Sequence, residues 1–277
     1  MAEQTLRRVM GIVNCTPDSF YTGSGVVPCR EALRALVGQQ LDEGADLLDF
    51  GGYSTRPGAA DVTLEEEWAR LKEGLSVCEE LCRERGVAPQ ISVDTFRCEV
   101  ARRAIEEFGV GMINDVTGGQ YDESIYSLVA ERGVQYVAMH MRGTPQTMQQ
   151  LTHYDEVVEE VHGWLAERLE RMAEAGVKRE QVLLDPGFGF AKALEQEYQL
   201  VAGLKRLGDL GCPILVGISR KSMLTRVLGI EKADALPATT ALHWELLRQG
   251  ASVLRVHDVA AARQTVDLYN YYEQTAL

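Results

Sequence analysis

Long apolar runs are missing from this sequence. No stretch of its 277 residues approaches the ~18 apolar residues that a membrane-spanning helix needs. Positive charge is also short. Lys and Arg number 28 against 41 Asp and Glu, a net charge of −13. That balance argues against a nucleic-acid or anionic-membrane binder, since both require positive surface; a small anionic substrate in a local basic pocket stays open. The six cysteines (Cys15, Cys29, Cys78, Cys82, Cys98 and Cys212) include no C-x-x-C pair, and no histidine pair has zinc-motif spacing. A disulfide scaffold is therefore not expected, and a reduced, cytoplasmic setting is. An early acidic residue and only a short apolar run mark the N-terminus, so no signal peptide is expected. What is present is an ordinary globular balance, 45% hydrophobic and 25% charged, at a length that suits one barrel domain over 1–277 or two small ones.

Eight apolar runs of strand length lie at 9–14, 47–51, 90–94, 111–115, 136–140, 182–185, 213–218 and 252–257. None alternates cleanly, which is how a parallel strand buried on both faces reads. Amphipathic stretches separate them at 30–43, 63–85, 96–108, 124–132, 154–175, 194–207 and 237–249, and 259–273 closes the chain. Thr63 with Glu66 forms a capping-box pattern. A glycine follows seven of the eight stretches, among them Gly86, Gly109 and Gly208. Eight strand–helix units predict an α/β fold, a single (β/α)8 TIM barrel. The rival is an open doubly wound sheet, disfavoured by the count of eight and by the lack of G-x-G-x-x-G after the first strand. The loops 18–27 and 54–62 are expected to be mobile.

Polar residues gather where the apolar runs end. Asn14 follows the first run, Thr55 and Arg56 the second, Asp94 the third, Asn114 and Asp115 the fourth, and His140 the fifth. Asp185 follows the sixth, Ser219, Arg220 and Lys221 the seventh, and Arg255, His257 and Asp258 the eighth. In a barrel these ends share one rim, where active sites sit. Asp94, Asn114 and Asp185 suit a planar ligand edge rich in N–H donors. Lys221, Arg255 and His257, with Asn14 and Arg56, suit phosphate or pyrophosphate. Plainer readings stand beside these. Asp94 and Asp115 are each as readily helix N-caps, and Asn14 a turn residue. Lys221 at a helix start is harder to explain structurally, because a cation disfavours that end. Arg255 and His257 face the same side of a strand, where burial needs an anionic partner. His140 and Met139 read as pocket walls, and His153, His162 and His243 as surface or packing positions. Cys15 carries no mark of a nucleophile, and the run Glu65–Glu66–Glu67 reads as a solvated helix start.

The segments MGIVNCTPDSF, GGYSTRPGA, SVDT, IND, LDPGFGF, ISRKS and RVHD run in order from Met10 to Asp258. Together they resemble the dihydropteroate synthase family, pterin-binding TIM barrels of folate synthesis. The resemblance implies condensation of hydroxymethyl-dihydropterin pyrophosphate with p-aminobenzoate, release of pyrophosphate, Mg2+ on the pyrophosphate, sulfonamide binding and a homodimer. It implies pterin binding at Asp94, Asn114 and Asp185, with Thr55 also in the pterin and pyrophosphate set. Lys221 would lie between the pterin and amine sites, and Arg255 and His257 at the pterin face and pyrophosphate. Asn14 would ligate the metal, Arg56 would act with Lys221, Arg255 and His257 in catalysis, and Phe20, Pro57, Phe190 and Ser222 would line the p-aminobenzoate pocket. Two positions depart from the family pattern: Thr22 stands where the first loop commonly has an acidic residue, and Tyr53 where Glu commonly precedes Ser-Thr-Arg-Pro.

The chemistry implied needs groups that stabilise departing negative charge and a transient cation on the pterin methylene. Fixed positive charge and metal suit the first, and Asp94 and Asp185 the second. No Ser–His or Cys–His pair suggests a covalent intermediate. A methyltetrahydrofolate-dependent methyltransferase would need the three acceptors but not STRPG, SRKS and RVHD. A non-catalytic pterin-binding paralogue is left open by Thr22 and Tyr53.

Overall fold

The computed structural model describes residues 7–16, 29–53, 62–144 and 147–275. Eight parallel strands close a barrel in chain order: β1 (Arg8–Asn14), β2 (Leu47–Gly51), β3 (Gln90–Asp94), β4 (Met112–Asp115), β5 (Gln135–Met139), β6 (Val182–Asp185), β7 (Ile214–Val216) and β8 (Ala251–Val256). Outside them run α1 (Arg30–Asp42), α2 (Leu64–Arg85), α3 (Cys98–Phe108), α4 (Ser124–Arg132), α5 (Val157–Glu174), α6 (Leu194–Gly203), α7 (Ser222–Leu228), α8 (Leu236–Arg248) and α9 (Val259–Thr275). The open-sheet alternative is thereby excluded, because β1 pairs with both β2 and β8.

Both faces of every strand are covered, and the two faces do different work. Outward residues such as Val9, Leu48, Phe50, Val93, Ile113, Tyr136, Leu184 and Leu254 join the helices in one large core. Met10, Leu47, Met112, Val137, Leu183, Leu215 and Val253 point inward and meet in a separate cluster that plugs the barrel. Side chains alternate along a strand, so two residues further on each strand again faces the axis.

The helices start and stop where local chemistry allows. Thr63 caps α2: its hydroxyl accepts the Glu66 N–H while the Glu66 carboxylate accepts the Thr63 N–H. Gly86 ends α2 at φ 66°, a left-handed turn that other residues resist. Three expectations shift. Gly208 does not end α6; the helix tightens into 3-10 turns over Leu204–Leu210 and stops at Gly211. The seventh apolar run, 213–218, shortens to Ile214–Val216, where the register against β8 slips. The short helix α7, which no amphipathic stretch announced, follows Lys221.

Replacing Thr63 with Ala removes one half of the capping box. The expected loss of unfolding free energy is about 1 kcal/mol, read as a lower urea midpoint. An unchanged midpoint would show that the box contributes nothing.

Candidate active site

Above the apolar plug, the next inward positions on four of the strands are polar. From Leu47, Met112, Leu183 and Val253 the alternation leads to Asp49, Asn114, Asp185 and Arg255. Ser92 fills the same layer from β3, and its hydroxyl donates to Asp49 Oδ1 at 2.6 Å. Asp49 Oδ2 accepts from Asn114 Nδ2 at 2.9 Å and from Arg255 Nε at 2.7 Å. Arg255 Nη2 also donates to Asp94 Oδ2 at 2.9 Å. One guanidinium thus spans two carboxylates on neighbouring strands. Burial opposes the Arg255 charge, yet Asp49 and Asp94 hold its pKa above the ordinary value. Burial lifts Asp94 to about 7, a rise that Arg255 resists and the neighbouring carboxylate Asp49 reinforces. Asp185 is likewise raised by burial, against the pull of Lys221 and the Gly187 N–H.

A cavity of about 440 Å³ opens over this layer, lined by Ile12, Asn14, Met148, Gly189, Phe190, Gly217, Ser219, Arg220, Lys221, Ser222, Lys232, Arg255 and His257. Asn14, Phe190, Lys221, Ser222, Arg255 and His257, dispersed over most of the sequence, therefore share one space. Lys221 Nζ donates to the Phe188 carbonyl and lies 4.9 Å from the Phe190 ring centre. Burial lowers its pKa to about 8, with Asp185 opposing. Ser219 Oγ stands 3.1 Å from His257 Nδ1 and accepts the His257 backbone N–H, which fixes the exposed imidazole. Arg220 takes a left-handed φ of 55° and makes paired bonds to Asp258 at 2.8 and 2.6 Å. That bend carries the chain from β7 into Lys221.

Asn14 and Asp94 approach each other across Gly51. A Cβ at Gly51 would lie 3.8 Å from Asn14 Oδ1 and 3.9 Å from Asp94 Oδ2, so the missing side chain leaves a gap edged by two oxygens. Oxygen donors suit a hard divalent cation that keeps waters and takes further oxygens from a phosphate. Among the described residues no group of three or more His, Cys, Asp or Glu forms a metal cluster. The oxygens of Asn14 and Asp94 are of the kind that such a cation accepts.

Several plain readings are resolved. Asp94 caps no helix; Arg97 holds the N-cap position of α3. Asp115 is structural: it accepts from the Thr117 and Gly119 N–H groups and the Tyr136 hydroxyl, and the N-cap position of α4 falls to Glu123. Lys221 occupies the N-cap position of α7 without capping it. His140 and Met139 are buried and do not line the cavity. His243 is buried and His153 exposed. Glu67 is a correction: it is fully buried rather than solvated, and its carboxylate takes the Thr95 hydroxyl and the Arg97 guanidinium. Tyr53 packs edge-on against Phe96 at 5.1 Å with the Arg97 guanidinium over its ring. Phe20, Thr22, Thr55, Arg56 and Pro57 lie outside the described residues, as do the loop 18–27 and most of 54–62.

The sequence reading missed Asp49 and Lys192. Asp49 left a signal, a carboxylate in mid-strand within LLDFG, with no loop nearby to explain it. Lys192 left none, since a lysine after a glycine-rich loop ordinarily reads as surface; here it is 6% exposed and burial lowers its pKa to about 7.

Comparison with known proteins agrees with this fold. The pterin binding enzyme family matches residues 10–257. Dihydropteroate synthase of Escherichia coli strain K12 is 39% identical over 267 residues, covering 96% of this chain and 91% of its own. The Xanthomonas albilineans dihydropteroate synthase structure with 4-aminobenzoic acid is 42% identical, with a TM-score of 0.87 over 97% of this chain and 93% of that one. The Yersinia pestis enzyme in a sulfonamide drug complex is 33% identical, with a TM-score of 0.88 over 98% and 96%.

Because Asp49 is wholly buried and shared by three partners, Asp49→Leu should lower the unfolding free energy by about 3–5 kcal/mol. The cost comes from leaving Asn114 and part of the Arg255 charge unpaired. Urea unfolding measures it, and a loss below about 1 kcal/mol would mean that Arg255 relaxes onto Asp94 alone.

Proposed function

The chain belongs to the dihydropteroate synthases of the pterin-binding enzyme family, and we propose that the cavity at its barrel mouth is where hydroxymethyl-dihydropterin pyrophosphate and p-aminobenzoate are joined. The products are dihydropteroate and pyrophosphate, so the enzyme is a transferase of folate synthesis. The observation that carries the site assignment is the shared inward phase of Asn114, Asp185 and Arg255, beneath a cavity that also holds Asn14, Lys221 and His257.

In this reading the donor-rich edge of the pterin faces Asp185, Asn114 and Asp94, whose oxygens accept its N–H groups. Arg255, already braced by Asp49 and Asp94, presents fixed positive charge that needs no reorganisation during the reaction. His257 and Asn14 meet the pyrophosphate, with Thr55 and Arg56 from the second loop. When bound, Mg2+ supplies neutralisation of the charge building on the leaving pyrophosphate. The carbon–oxygen bond breaks with its electron pair leaving on the pyrophosphate oxygen, the amine nitrogen adds to the resulting pterin methylene cation, and the proton the amine then carries is lost to solvent. Lys221 lies between the two ligands. Phe190 and Ser222, with Phe20 and Pro57, form the p-aminobenzoate pocket, where sulfonamides would compete.

We read the whole chain, 1–277, as one domain, and the folate-synthesis role places it in the cytoplasm; among the described residues no helix is long and apolar enough to cross a membrane. We read it as a homodimer; α9 leaves Leu268, Tyr271 and Tyr272 exposed, and Tyr272 packs on Trp244. A monomer mass in light scattering would count against the dimer.

The direct test is magnesium-dependent release of pyrophosphate with both substrates present. Pterin binding without turnover would instead mark a binding paralogue. The Asp94 shift gives a second test. The ring donors favour its carboxylate form, so binding draws its pKa down from about 7. Calorimetry near pH 6.5 should show about three-quarters of a proton released per pterin bound, falling to almost none near pH 8.5. Affinity should rise with pH across that interval. Binding with no proton release at either pH would remove Asp94 from the pterin site. In the unliganded protein the sign for stability is opposite: the folded chain holds this proton more tightly than the unfolded one, so this group's contribution falls as pH rises from about 4 to about 7.

A further inference from the structure

The loop between β6 and α6 contains a buried cation that the reaction above leaves unused. Lys192 Nζ lies 3.0 Å from the Gly187 carbonyl, 3.0 Å from the Phe190 carbonyl and 3.0 Å from His140 Nδ1. An ammonium has three N–H donors, and here it finds three acceptors. His140 can accept at Nδ1 only as the neutral ring carrying its proton on Nε2. Burial, with Lys192 and Arg142 nearby, holds the His140 pKa well below its usual range and keeps that form.

The bonds of Lys192 close the loop on itself. Between them the backbone bends through left-handed conformations at Gly187 (φ 71°), Gly189 (φ 83°) and Ala191 (φ 50°). A left-handed alanine persists only where its surroundings over-determine it, and the anchored Lys192 is its neighbour. A Cβ at Gly187 would sit 2.0 Å from the His140 carbonyl oxygen, so the loop lies flat against the end of β5. Across the loop, Lys221 takes the Phe188 carbonyl. Two lysines therefore bind alternate faces of one tight turn: Lys192 holds carbonyls 187 and 190, and Lys221 holds 188. The turn ends in Phe190, whose ring forms the cavity wall beside Lys221.

We propose that Lys192 is a positioning residue for the aromatic-amine side of the cavity. Its ammonium fixes the 187–190 turn and so sets where the Phe190 ring stands. It touches neither substrate. The proposal rests on the reading of Phe190 as part of the p-aminobenzoate pocket, and its test is arranged to separate the two.

Steady-state kinetics of Lys192→Met, Lys192→Gln and Phe190→Ala, varying each substrate in turn, provide the test. Lys192→Met keeps the stem and removes every donor. It should raise the p-aminobenzoate KM by about tenfold or more, while kcat and the pterin pyrophosphate KM stay within about threefold. Lys192→Gln, which keeps an N–H donor pair, should recover part of that loss. If the Met variant does not fold, the Gln variant is read by the same split. A merely structural lysine would lower thermal stability and shift both KM values together, and that result would overturn the proposal. If Phe190→Ala leaves the amine KM unchanged, the pocket reading fails. A split in the Lys192 variants alongside that result would overturn the route through Phe190. A wild-type protein that forms no dihydropteroate would dispose of the functional reading itself, whatever the variants do.

Discussion

A guanidinium from β8 lies between carboxylates from β2 and β3, and the arrangement of the polar layer follows from that contact. Arg255 enters the barrel interior, where an unpaired charge is strongly unfavourable. Asp49 has no exposed surface and provides the deeper partner. Once that pair is in place, Asn114 and Ser92 orient on the Asp49 oxygens, and Asp94 is drawn to the outer guanidinium nitrogen. Four strands thus fix one another's polar groups before any ligand arrives. This is the preorganisation that electrostatic catalysis requires, because dipoles and charges already in position need not move as charge develops.

Much of this was legible in the sequence, because strand phase and strand ends carry the information. Asn14, Asp94, Asn114, Asp185 and Arg255 each sit where an apolar run meets a loop, and eight such runs in succession lead to a barrel rim. What escaped has physical reasons. Asp49 lies inside its strand and not at its end, so a search of strand ends passed over it, although a carboxylate amid apolar residues needs a partner somewhere. Glu67 follows two solvated glutamates at the start of α2, and only the helix phase turns it inward. The break at Gly208 was misplaced because α6 tightens into 3-10 turns that run on to a second glycine, Gly211, and it is there that the chain takes the left-handed turn. Lys192 depended on a return contact within a turn, which linear spacing does not display.

The loop after β6 connects the two halves of the site. Asp185 at the end of the strand accepts the Gly187 N–H at 2.7 Å, and the same turn then reaches Phe190 at the cavity wall. The region that would read the pterin ring and the region that would read the aromatic amine are therefore consecutive in one short stretch of chain. Loops of this kind usually move on ligation. This one is pinned from two sides by buried or half-buried lysines, which leaves the adaptable parts of the mouth to other loops.

The apolar cluster of Met10, Leu47, Met112, Val137, Leu183, Leu215 and Val253 seals the barrel below the polar layer. Among the described residues, the site is a shaft that opens to solvent beside Lys221 and His257. A ligand that reaches Asp185 and Asn114 from that side passes those two residues first. In such a shaft depth imposes order: the deepest ligand is the first to enter and the last to leave. A condensed product that keeps the ring at the bottom would then remain until the leaving anion above it had cleared the opening.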